Sequence, residues 1–256
     1  MAHDNLPDDG LPPCATCKNL RWVRIQMCPD AAGKPSCLVR CPDCGQLARR
    51  QHRLLVYRNR RDRIEKYTQK VGRYARQTFA SFAQRQGEGA VAIRKAHQAA
   101  LAFAKDPHGW LVMYGPKGTG KSHLAAAIAN HLETLPEDER PLVMFLTAPD
   151  LLDLLRSGYR AGDYDELLSL CREAEVLILD DLGAEQETDW AMEKIFQIIN
   201  HRYQMELPTV VVTNNRLEEL DPRIYDRLGD DDLCVKVRII APTYRQRLSA
   251  PGTVVQ

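Results

Sequence analysis

The chain has 256 residues, 44% of them apolar and 27% charged. That composition supplies a packed core and excludes a wholly disordered polymer. The net charge of +1 conceals an asymmetry: residues 45–76 hold eleven Lys/Arg against Asp62 and Glu65, a net +9, while residues 77–256 carry a net −8.

Taken from the start, Met1-Ala2-His3-Asp4-Asn5 is polar and acidic, unlike a secretory leader. No apolar run approaches the roughly 18 residues of a membrane span. A cytoplasmic protein without a membrane partner is expected, its cysteines reduced or metal-bound rather than bridged. Residues 1–13, rich in Asp and Pro, are expected to be disordered. Six of the eight cysteines then crowd into residues 14–44: Cys14, Cys17, Cys28, Cys37, Cys41 and Cys44. Cys14-x2-Cys17 and Cys41-x2-Cys44 have the form of a zinc ribbon, two knuckles closing a tetrahedral site of four thiolates. Four thiolates leave no open position, so the zinc is structural, and so short a module needs such a staple to fold. Cys28 and Cys37 are extra and either could replace a ligand; disulfides or free thiols are the competing reading.

Residues 45–77 read as a basic helical linker with a broken apolar stripe of Leu47, Leu54, Leu55, Ile64 and Tyr67. Such a helix can be a solvated connector, a DNA-binding surface or a protein-docking surface. The excess of cations over what solubility needs favours DNA, and Tyr57, Tyr67 and Tyr74 could stack on bases. A domain over residues 78–250 follows, in which apolar strands alternate with helices. Strands are predicted at Trp110–Tyr114, Leu142–Thr147, Val176–Leu179, Thr209–Thr213 and Val235–Ile240. Helices are predicted near Ala90–Ala104, Lys121–Leu135, Leu151–Arg156, Asp165–Glu173 and Trp190–Tyr203. This order implies an α/β fold, a parallel sheet covered by helices on both faces.

Gly115-Pro116-Lys117-Gly118-Thr119-Gly120-Lys121-Ser122 fits G-x-x-x-x-G-K-[ST], follows a predicted strand and opens a predicted helix. Glycines let backbone N–H groups wrap phosphates, Lys121 reaches the β- and γ-phosphates, and Ser122 ligates Mg²⁺. His123 directly follows and joins the nucleotide-binding set. Val176-Leu177-Ile178-Leu179 ends in Asp180-Asp181, at the strand end that faces a ligand crevice in a parallel sheet. Asp180 is expected to hold Mg²⁺ and Asp181 to orient or deprotonate the attacking water. Asn214, after Thr209–Thr213, is placed to polarise that water; Asn215 reads as a turn residue. Small-molecule kinases share such loops, so these parts alone do not fix the function.

The order of pieces resembles the AAA+ ATPases of the DnaC/IstB type, which are replicative helicase loaders and ATPase helpers of transposases. It is carried by Gly115–Ser122, Leu177-Ile-Leu-Asp-Asp-Leu-Gly183, Pro208-Thr-Val-Val-Val-Thr-Asn214, Asp221-Pro-Arg223 with Asp226-Arg-Leu228, and Ala241-Pro-Thr-Tyr244-Arg245. Cys14-x-x-Cys17 and Leu38-Val-Arg-Cys41-Pro-x-Cys44-Gly45 look like the zinc-bearing front of some members. The resemblance implies that ATP is hydrolysed, with Asn214 as sensor 1 and Arg245 as sensor 2. It also implies that Arg227 is an arginine finger serving a neighbouring subunit, with Arg223 as the runner-up. It further implies DNA, a replicative helicase or a transposase as partners, and assembly into a ring or helical filament. Most AAA+ proteins end the metal-binding strand in Asp-Glu; Asp180-Asp181 is one methylene shorter and implies slow turnover. Delivery of a helicase and an ATP-dependent coat on DNA that recruits a transposase are the two functions this leaves open. A monomeric phosphate-loop kinase, with no use for Arg227 in trans, is the third.

Overall fold

A computed structural model describes residues 22–26, 36–40, 45–67, 72–83, 87–184 and 188–243. Contacts divide the chain into two units, the second beginning at Asp62. In the first unit, β1 (Trp22–Gln26) and β2 (Ser36–Arg40) form an antiparallel pair, with Trp22 opposite Arg40 and Gln26 opposite Ser36. The cysteine spacing had given no hint of these strands. Cys14, Cys17, Cys28, Cys41 and Cys44 lie outside the described residues, as do residues 1–13.

The basic block forms α1 (Gly45–Tyr67) and then a separate 3₁₀ turn at Gly72–Arg76. The described helix is thus shorter than the 45–77 predicted. Residues 68–71, between the two, lie outside the described residues.

The second unit holds α2 (Ala90–Lys105), β3 (Trp110–Tyr114), α3 (Lys121–Glu133), β4 (Val143–Thr147) and α4 (Ala148–Ala161). After these come α5 (Tyr164–Glu173), β5 (Val176–Leu182), α6 (Asp189–Gln204), β6 (Thr209–Thr213), α7 (Pro222–Gly229) and β7 (Cys234–Arg238). The five strands form one sheet in the order β4-β5-β6-β3-β7, every pair parallel. This is the α/β architecture the alternation predicted.

Both faces of the sheet are buried, as near-continuous apolar strands require. Leu111, Met113, Ile178, Val210 and Val212 share one core cluster with Ile93 of α2 and Leu124 and Ile128 of α3. Side chains alternate along a strand, so the equally buried Val112, Leu177, Leu179 and Val211 turn to the opposite face, the side left for α4 and α5.

Several boundaries depart from prediction, β5 running on to Leu182 and β7 ending at Arg238 among them. α4 begins at Ala148, before the expected Leu151. Pro149 sits in its first turn, where no N–H is needed, and the Thr147 hydroxyl caps the helix by accepting the Asp150 N–H at 3.2 Å. α7 was not predicted, being only eight residues long. Its signals were present: Asp221 caps the Arg223 N–H at 2.8 Å, Pro222 opens the helix, and Ile224 and Leu228 bury one face.

Candidate active site

The C-terminal ends of β3, β5 and β6 converge on the loop between β3 and α3. Gly120 forms the N-cap of α3 at φ 105, a left-handed conformation that glycine alone adopts without strain. A Cβ there would lie 2.9 Å from the Phe82 ring. The loop thus delivers the first N–H groups of α3, with the positive end of its dipole, into the crevice. Lys121 is 3% exposed. Its Nζ donates to the carbonyls of Gly115 at 2.7 Å and Pro116 at 2.8 Å. Thr119 Oγ1 also donates to the Pro116 carbonyl, at 3.1 Å.

Adjacent residues on a regular strand face opposite ways, so Asp180 and Asp181 could not share a site on one. β5 solves this with a bulge: Leu179 pairs with Val211 and Leu182 with Thr213, one residue too many on β5. Asp181 takes up the excess at φ 58. The Thr213 hydroxyl pins the far side of the bulge by donating to the Leu182 carbonyl at 2.6 Å. Asn214 Nδ2 donates to Asp181 Oδ1. Asp180 Oδ1 accepts from Ser122 Oγ at 3.0 Å and from the Asp181 N–H at 3.0 Å. Burial pushes the Asp180 carboxyl up to about 6, against the pull of the Ser122 hydrogen bond.

These groups line a cavity of about 430 Å³. Lys117, Gly118, Thr119, Gly120, Lys121, Ser122 and His123 form one wall with Asp180, Asp181 and Asn214. Gly115 and Pro116 stand behind it as acceptors for Lys121. The remaining wall is Tyr74, Gln77, Ser81, Phe82 and Ala83, with Thr147 from the end of β4. Sequence reasoning missed that wall. Phe79 and Phe82 were visible as an aromatic pair ahead of α2, but no spacing rule ties such a pair to a phosphate loop.

The donor set suits Mg²⁺: a hydroxyl and a carboxylate, both hard oxygens, 3.0 Å apart. Asp180 is 2% exposed and short of compensating charge, a deficit a divalent cation offsets.

The two arginines considered as fingers sit on α7 and do not line this cavity. Arg227 donates to Asn200 Oδ1 through Nε at 3.3 Å and Nη2 at 3.2 Å, pairs with Asp226 at 2.9 Å, and lies over Phe196 and Tyr203. Arg223 pairs with Glu193 at 3.1 Å and Asp221 at 3.2 Å. Asn215 serves the turn, its N–H bonded to Thr213 Oγ1 at 3.1 Å. Arg245 lies outside the described residues. Among the described residues no group of three or more His, Cys, Asp or Glu could hold a metal, and no helix is long and apolar enough to cross a membrane.

The family described as IstB-like ATP binding protein matches residues 47–236. The chain belongs to the IstB-like ATP binding protein family. This IstB-like chain is similar to the replicative helicase loader DnaC of Escherichia coli K12, 31% identical over 121 residues, 46% of this chain and 48% of DnaC. It is similar also to the replicative helicase loader DnaI of Bacillus subtilis 168, 29% identical over 132 residues, 51% of this chain and 41% of DnaI. The chain thus spans about half the length or less of these curated relatives. The crystal structure of the DnaC helicase loader superposes with a TM-score of 0.56 at 24% identity, covering 66% of this chain and 100% of that one. The sheet and its helices have the fold of that loader structure.

Proposed function

We propose that this chain is an ATP-hydrolysing loader of the DnaC type, which engages DNA and delivers or regulates a replicative helicase. The observation that carries the reading is the convergence, in one cavity, of Lys121 and Ser122 with Asp180 and with the Asp181–Asn214 pair. A bare nucleotide-binding fold needs only the first two. The likeness to the helicase loaders DnaC and DnaI supports the loader part.

In this reading the α3 N-terminus and Lys121 grip the phosphates, Lys121 exchanging its two carbonyl partners for phosphate oxygens. Ser122 and Asp180 would hold Mg²⁺, whose charge would offset that of the phosphates. Asp181 accepts a proton from the attacking water while Asn214, bonded to it, fixes its carboxylate. Water oxygen bonds to the γ-phosphorus, the bridge to the β-phosphate breaks, and ADP and inorganic phosphate leave. Arg227, outside its own chain's cavity, serves a neighbour's γ-phosphate in a ring or helical filament, and Arg245 contacts the nucleotide in cis.

Zinc on Cys14, Cys17, Cys41 and Cys44 fits the β1–β2 register. Trp22, five residues after Cys17 in the sequence, pairs with Arg40, the residue before Cys41. Such a knuckle directly precedes α1, whose exposed Arg58 and Arg60 would lie along DNA phosphates with a steep salt dependence.

The test is ATPase activity against protein concentration, with and without a replicative helicase. The wild-type rate should rise cooperatively, and Arg227→Ala should abolish that rise while leaving ATP affinity nearly intact. A concentration-independent rate in the wild type would instead favour the monomeric kinase. Recovery of a transposase rather than a helicase by the ATP-bound chain would replace the loader with a transposition regulator.

A further inference from the structure

The two walls of the cavity differ in chemistry. One carries backbone N–H groups, Lys121, Ser122 and carboxylates, the equipment for a triphosphate and its cation. The other is a single stretch of chain, residues 74–83, that offers the rings of Tyr74 and Phe82 and the Gln77 amide. Once the phosphates are assigned, the base and ribose are what remains of the nucleotide, and rings with an amide are the groups that hold a base.

This stretch, which runs from within the 3₁₀ turn toward α2, has no sheet to fix it. Asn130, on α3, does so instead. Its Nδ2 donates to the carbonyls of Tyr74 and Gln77, both at 2.8 Å. Two carbonyl acceptors admit only the nitrogen end of the amide, so its orientation is determined by its partners. The Gln77 N–H donates in turn to the Tyr74 carbonyl at 3.1 Å. Further along, His123 Nε2 lies 3.0 Å from the Thr78 carbonyl and 3.2 Å from Ser81 Oγ. The second wall is thereby tied to the helix that carries Lys121 and Ser122. Gln77 Oε1 is buried on this wall with no donor among the described residues, a group that calls for a partner.

We propose that Asn130 is a positioning residue for the base end of the nucleotide, holding Tyr74 and Gln77 at a fixed distance from the phosphate loop. The proposal rests on the nucleotide reading above. It separates two kinds of binding: a triphosphate without a base uses the first wall only, whereas ATP uses both.

The experiment is titration calorimetry of the full chain with ATP and, separately, with inorganic tripolyphosphate, each with Mg²⁺. Wild type should bind ATP more tightly than tripolyphosphate. Asn130→Asp sets carboxylate oxygens against two carbonyls and should weaken ATP about tenfold while tripolyphosphate changes less than about twofold. Loss of both ligands in equal measure, or no loss of ATP, overturns the proposal. Should that variant not fold, Asn130→Ala is measured in the same way. The wild type alone is also decisive, since equal affinity for the two ligands would mean that no base subsite exists. Binding of neither ligand by the wild type would remove the nucleotide reading itself, an outcome distinct from all of these.

Discussion

The two ends of the parallel sheet each bury a charge, and they treat it in opposite ways. At the N-terminal end of β6, Arg202 of α6 is fully buried. It donates to Thr209 Oγ1 at 2.9 Å and to the carbonyls of Cys171, Arg172, Ala174 and Pro208 at 3.3, 3.0, 2.8 and 2.7 Å. Three of those carbonyls belong to the C-terminal turn of α5 and its cap, where a cation also complements the helix dipole. Burial pulls the guanidinium down to about 10, so it stays charged at neutral pH. At the C-terminal end, Asp180 is buried almost as deeply but receives only a hydroxyl and one N–H, and its carboxyl is pushed up. One end is saturated by carbonyls; the other is left short of charge, beside a backbone held at positive φ.

The contrast breaks most visibly at Arg202. Arg202→Met keeps the volume but strands the carbonyls, and should cost about 3–5 kcal/mol in urea denaturation, with ATP affinity preserved in the chains that remain folded. The opposite sign is expected at Asp180. Its folded pKa of about 6 lies above the ordinary 3.8, so the folded chain keeps a proton that the unfolded chain loses. Its contribution to stability therefore falls as pH rises from about 4 to about 6, without Mg²⁺ or nucleotide. Asp180→Asn should flatten that fall and stabilise the protein at pH 7 by up to about 3 kcal/mol, while abolishing Mg²⁺-dependent hydrolysis. A destabilised Asp180→Asn chain would show that the two ends are alike after all.

Lys121→Ala sharpens the comparison from the ligand side. Nucleotide affinity should drop at least about tenfold, about 1.4 kcal/mol, by calorimetry; unchanged affinity would remove the phosphate-loop assignment. The smallest effect is expected at Thr213, which is buried and pins the bulge through the Leu182 carbonyl. Thr213→Val loses two hydrogen bonds, the one donated to the Leu182 carbonyl and the one accepted from the Asn215 N–H, about 1 kcal/mol in all. It should slow hydrolysis more than it weakens ATP binding, because the bulge sets where Asp181 points.

What could be foreseen follows the same division. The phosphate loop, Asp180, Asp181 and Asn214 were legible because their residue types and their places after apolar strands are dictated by phosphate chemistry. The sheet was legible because β-branched runs such as Thr209–Thr213 alternate with helical ones. Arg202 was not: between Ile199 and Tyr203 it reads as one more solvated charge, and only the meeting of α5, α6 and β6 gives it carbonyls. The wall of residues 74–83 was equally hidden, since Tyr74 and Gln77 are held by Asn130, more than fifty residues away. α7 was missed for its brevity despite a readable Asp-Pro start.

The extra residue in β5 also says which changes this chain can absorb. A substitution at Asp181 alters a functional group but leaves the count of residues between Leu179 and Leu182 intact. Deleting one residue there would restore regular pairing with β6 and send a carboxylate to the far face of the sheet. Spacing, more than identity, decides here which way the side chain at position 181 is turned.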